Sequence, residues 1–171
     1  RKEASLAALT TLGVPATNVY AFTFPDNAID SVPLIEVVQA LETIFDSVKP
    51  NIVYTHHPGD LNIDHRCAYD ATMTVCRPQP GKSVREIYSF EVASSTGWSG
   101  DSFGRSFSPT RYVSIKEFWQ QKQQALAAYN EEMRPNPHAR SVKAVRALAM
   151  YRGSQIGEEY AEAYVTERII R

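Results

Sequence analysis

Apolar positions along this chain follow two alternating periods, one helical and one extended. Ala4, Leu6, Ala7, Ala8 and Leu12 form a stripe closed by Gly13, which predicts an opening helix. "NVYAF" is rich in aromatic and β-branched residues and predicts a short strand over 18–22. In "DSVPLIEVVQALETIFDSVKP", Leu34, Val37, Val38, Leu41, Ile44, Phe45 and Val48 recur at helical spacing. Ser31 is the expected N-cap of that helix, Pro33 fits its first turn, and Pro50 stops it. "NIVYT" has no polar alternation, as in a strand covered on both faces. A helix over 65–76 follows a polar loop. "REIYSFEV" and "RYVSI" read as strands on either side of a Ser- and Gly-rich loop, and "KEFWQQKQQALAAYNEEM" reads as a helix. After the turn "RPNPHARS" come a helix, a glycine break and a final helix or strand.

Strand and helix alternate with short connections. That order predicts an α/β, Rossmann-like, mostly parallel sheet with helices on both faces. A length of 171 residues suits one domain, here taken as 1–171. Lys and Arg number 18 against 19 Asp and Glu, so charge gives no reason to expect a nucleic acid or an anionic membrane as partner. No apolar run approaches the ~20 residues of a membrane span. Cys67 and Cys76 would lie roughly 13 Å apart along one helix, beyond the ~7 Å reach of a disulfide. Free thiols fit a cytoplasmic protein. The chain opens in full helix at "RKEASLAAL" with no initiator Met, which suggests a fragment of something longer.

Candidate chemistry sits in "YTHHPGDLNIDHR", residues 54–66, which holds three of the four histidines and follows a strand end. Ligands in α/β sheets bind beyond such ends. If the loop is extended, Asp60, Asn62 and Asp64 share a face and Leu61 and Ile63 point to the core. Asp64 is also placed to cap the next helix, whose first turn carries His65 toward the same crevice. D-x-N-x-D opens an EF-hand loop, but the Gly and Glu that such a loop needs are replaced by His65 and Ala71. Two readings stay open, a solvated polar loop and part of a Zn²⁺ site. Imidazole and carboxylate suit zinc, although no H-x-x-x-H spacing completes a ligand set.

"IVYTHHPGDLNIDHR" resembles the second signature of the PIG-L/LmbE-like zinc-dependent N-deacetylases. "EASLAALTTLGV", "FPDNAIDSVPL", "CRPQPGKSVREIYSFEVASSTGW" and "EEMRPNPHARSV" follow in the order that family uses. The resemblance implies an LmbE-like fold, one Zn²⁺ per chain, and hydrolysis of an acetamide on an N-acetylglucosamine-type substrate. It also implies that the family's first signature, Ala-His-Pro-Asp-Asp-Glu, is absent here, and with it two ligands and the general base. The domain would then be incomplete at its N-terminus, its other ligands would lie in the missing segment, and the fragment alone would be inactive.

Carried over residue by residue, the resemblance makes His65 the third metal ligand and Asp64 the acidic residue orienting a histidine. Asn62 stands where some members have His; it can donate to an oxyanion but cannot supply a proton. His56 and His57 are the substitutes for that acid, or simply pack beside the strand end. Asp26, Asn27, Asp60, Ser95 and Trp98 are the expected substrate-binding residues. Turn chemistry accounts for Asp26 and Asn27 equally well, and an interface role for Trp98. His138 is expected to be structural. The rival functions are a metal-free sugar- or nucleotide-binding module, and an interaction protein using the aromatic loop from Trp98 to Phe107. Such a loop also allows a homo-oligomer.

Overall fold

The structure, a computed structural model, describes residues 2–101 and 104–171. The chain divides into two compact units, Phe22–Arg111 with Ala163–Arg171, and Arg1–Ala21 with Tyr112–Glu162. Among the described residues, strands β1 (Ile52–His56), β2 (Glu86–Phe90), β3 (Arg111–Ser114) and β4 (Ala161–Ile169) form one sheet in the order β1-β2-β4-β3.

The first unit holds the histidine loop. Helix α2 (Leu34–Val48) buries Val37 and Val38 against Ala71 and Val75 of α3 (Ile63–Val75), with Phe24, Ile29, Val32, Leu41 and Phe45 around them. Ser31 does not cap α2. Its hydroxyl closes a 3₁₀ turn onto the Ala28 carbonyl (2.7 Å), and Pro33 occupies the cap position without a side-chain bond. Strand β1 (Ile52–His56) runs parallel to β2 (Glu86–Phe90), with Val53 opposite Ile87 and His56 opposite Phe90. β2 pairs antiparallel with β4 (Ala161–Ile169), so the expected mostly parallel sheet is mixed, within the expected α/β class. β1 is not covered on both faces. Val53 and Thr55 are buried, with the Thr55 hydroxyl on Thr72 of α3, while Ile52 and Tyr54 are exposed and Tyr54 leans on the rings of Tyr88 and Tyr164.

In the second unit, α1 (Lys2–Thr11) packs on α5 (Trp119–Ala127), and Gln121 Nε2 donates to the Thr11 carbonyl (2.8 Å). α6 (Val142–Ser154) adds Ala149 and Val145 to a core of Ile115, Trp119 and Tyr160. The strand expected over 18–22 is absent: a 3₁₀ turn at Ala16–Asn18 leads into unpaired chain, since β-type composition makes no strand without a hydrogen-bonding neighbour. The final segment resolves as strand, β4.

Strand β3 (Arg111–Ser114) follows the Ser- and Gly-rich loop, which is broken by a single helical turn, α4 (Thr96–Ser99). Ser102 and Phe103 of the expected aromatic contact loop lie outside the described residues. No helix among the described residues is long and apolar enough to cross a membrane.

Candidate metal centre

At the carboxyl end of β1 the loop does not run extended. Asp60 Oδ1 accepts the Asn62 amide (2.8 Å), and Asn62 Oδ1 accepts the Asp64 amide (2.8 Å). Polar residues at alternate positions thus serve successive turns, each side chain bonding the backbone two residues on. Asn62, not Asp64, is the N-cap of α3. Asp64 instead reaches back to the turn that follows Phe24, where its carboxylate accepts the amides of Asn27 (2.6 Å) and Ile29 (2.9 Å). Arg66 fixes the loop from behind, its Nη1 donating to the carbonyls of Asp60 (2.7 Å) and Leu61 (2.8 Å).

Turning replaces the expected alternation of faces. Leu61 is exposed rather than in the core, and Asp60 is fully buried at 0% exposure. Asp60 lies against His65. Its Oδ1 is 3.1 Å from His65 Nδ1, and Oδ2 accepts the hydroxyls of Ser95 (2.9 Å) and Thr96 (2.7 Å). Burial alone would raise this carboxyl, but bonds from His65, Thr96, the Asn62 amide and Ser95 outweigh it and hold its pKa at about 2. The carboxylate beside His65 is therefore Asp60, and Asp64 has other partners.

His56 completes the cluster. Its ring stacks on His65 at 3.8 Å between centroids and 9° between planes, and the Phe90 ring packs against it at 4.7 Å. Burial and the neighbouring His65 depress its pKa to about 4 despite the opposing pull of Asp60. It is neutral at pH 7, and its buried Nδ1 has no hydrogen-bond partner among the described residues. His56, Asp60 and His65 each bring a ligand-type atom within 4.8 Å of the others. Two imidazoles, one of them held neutral, are donors of the kind Zn²⁺ takes, and an orphaned buried nitrogen is what an ion or a water would satisfy. The chemistry of the cluster fits a metal.

The remaining expected residues scatter. His57 is buried, with Nδ1 accepting the Gly59 amide (3.1 Å) and Phe107 edge-on to its ring (5.2 Å). Gly59 is obligatory, since a Cβ there would overlap the Arg105 carbonyl. Asn27 is at φ 55°, and its Oδ1 lies 3.5 Å from Asn62 Nδ2. Asp26 is exposed beside it, and Trp98 is 56% exposed on α4. Ser95 is buried against Asp60, and His138 closes a turn by accepting the Arg140 amide (2.9 Å). Sequence reasoning missed Thr96 as an anchor of Asp60, and missed Glu167. The Glu167 carboxylate accepts Tyr69 (2.9 Å) and Ser89 (2.7 Å) in a polar layer behind the loop. No local signal marks Glu167, because both its partners come from distant elements.

Sheet and helices together define an α/β protein whose fold is shared with solved proteins. Residues 1–76, a span that includes the whole histidine loop, match the family model of PIG-L, GlcNAc-PI de-N-acetylase, which bears out the resemblance read from the sequence. The fold is similar to that of the conserved protein TT1542 from Thermus thermophilus at TM-score 0.72 and 22% identity, covering 99% of this chain and 74% of that one. It is similar to N,N'-diacetylchitobiose deacetylase from Pyrococcus horikoshii at TM-score 0.73 and 18% identity, covering 98% of this chain and 62% of the other. A zinc-inhibited form of teicoplanin deacetylase Orf2 gives TM-score 0.61 and 18% identity, with 97% and 73% covered. Among curated proteins, none matches the sequence.

Proposed function

We propose that the protein hydrolyses an acetamide on an N-acetylglucosamine-type substrate, releasing acetate and a free amine, with Zn²⁺ as its metal. The observation that carries this reading is the neutral, partly orphaned histidine cluster at the carboxyl end of β1, inside the residues that match the family model. Deacetylase activity in the proteins of like fold supports it. His65 would hold the ion, with His56 the other imidazole of the cluster. On the family resemblance, further donors and the general base come from a segment ahead of Arg1. When bound, Zn²⁺ polarises a carbonyl and lowers the pKa of a water toward ~7.

The chain's own residues supply the rest. Asn62 has committed its carbonyl to capping α3, so its Nδ2 is the group left to donate to the amide oxygen as charge builds there. His56 is no resting acid at neutral pH. It could act only as a relay, handing on to the leaving amine a proton received from the general base. His57 is committed to the loop backbone. Asp26 and Asn27 stand beside Asn62 as the hydroxyl-recognising edge, and Trp98 offers a face on which a sugar ring can stack. Ser95 serves the substrate only indirectly, through Asp60.

Acetate release from a panel of N-acetyl amino sugars tests the reading, using protein expressed from its natural start codon. Activity should vanish with chelator and return with Zn²⁺. Activity that survives complete metal removal would contradict it, and binding of a sugar without turnover would favour a non-catalytic module.

A further inference from the structure

We infer that Asp60 is the positioning carboxylate of His65 and not a metal ligand, so that His65 meets the ion through Nε2. This rests on the metal reading above and deepens it. An ionised carboxylate offers about four lone-pair sites. Here all four are filled, Oδ1 by the Asn62 amide and His65 Nδ1, Oδ2 by Ser95 and Thr96. Thr96 must donate its proton to Asp60, because its oxygen already accepts the Val92 amide (2.8 Å). Ser95 likewise spends its proton on Asp60, and at 3.4 Å from His65 Nδ1 it is no rival to the carboxylate at 3.1 Å.

With an acceptor fixed beside Nδ1, the neutral imidazole carries its proton there and leaves Nε2 with the free lone pair. A carboxylate behind a ligating histidine sets the ring's orientation and strengthens its donor nitrogen. To ligate directly, Asp60 would have to abandon one of its four bonds while remaining at 0% exposure. The His56 ring, parallel to His65 at 3.8 Å, bounds the ring's other freedom.

Two readouts test this on protein expressed from its natural start codon. Long-range ¹H–¹⁵N spectra of the metal-free protein should show His65 protonated at Nδ1 and bare at Nε2, with assignment by His65→Gln. Titration with Co²⁺ should then show D60N binding about 10- to 100-fold more weakly than wild type, with the same visible spectrum per bound ion. A His65 proton on Nε2 would overturn the inference, as would a changed Co²⁺ spectrum in D60N. If D60N does not fold, the wild-type tautomer decides alone. Failure of the wild type to take up Co²⁺ would sink the metal reading, while the tautomer would still report whether Asp60 holds the ring.

Discussion

His56 lies in surroundings that disfavour its charged form, and its behaviour can be checked without any substrate. In the unfolded chain it takes a proton near 6.5, in the folded protein only near 4. Between these values the unfolded state binds more protons, so metal-free protein should lose stability as pH falls through that window. The full loss is on the order of 3 kcal/mol, at about 1.4 kcal/mol per unit. Urea denaturation at a series of pH values should show this slope, and His56→Gln should flatten it; an unchanged slope would assign the effect to another group. At this scale the sequence was only partly legible. The crowding of His56, His57 and His65 points to the loop that holds the cluster. The role of Asp60 did not show, because its burial depends on Ser95 and Thr96, 35 and 36 positions away.

Among the elements, the loop between β1 and α3 is held by turns and by one tie to a distant segment. Asp64 binds the amides of Asn27 and Ile29, so Asp64→Ala should cost about 1–3 kcal/mol and expose those two amides to hydrogen exchange. Asn62→Ala removes the α3 cap and should cost about 1 kcal/mol, with exchange rising first at the helix start. Gly59→Ala forces a methyl into the Arg105 carbonyl and should destabilise by about 1–3 kcal/mol; a neutral effect would mean that the 105 segment yields freely. Helices α2 and α3 were legible because their apolar stripes face each other. The alternating D-x-N-x-D reads as extended because alternation carries the same signature in a strand and in consecutive side-chain turns. The phantom strand at 18–22 failed for want of a partner.

For the whole molecule, the two compact units were invisible in composition. The chain passes between them at 21–22, at 111–112 and again at 162–163, with no Pro- or Gly-rich linker to mark any passage. What the order of elements did convey was the α/β class and the position of the histidine loop at a strand's carboxyl end. That position is the foundation of the functional account, and metal content tests it most directly. Protein expressed from its natural start codon should carry close to one Zn²⁺ per chain, and His65→Ala should lose most of it while keeping its far-UV circular dichroism. Little zinc in the wild type, or equal zinc in both, would contradict the account.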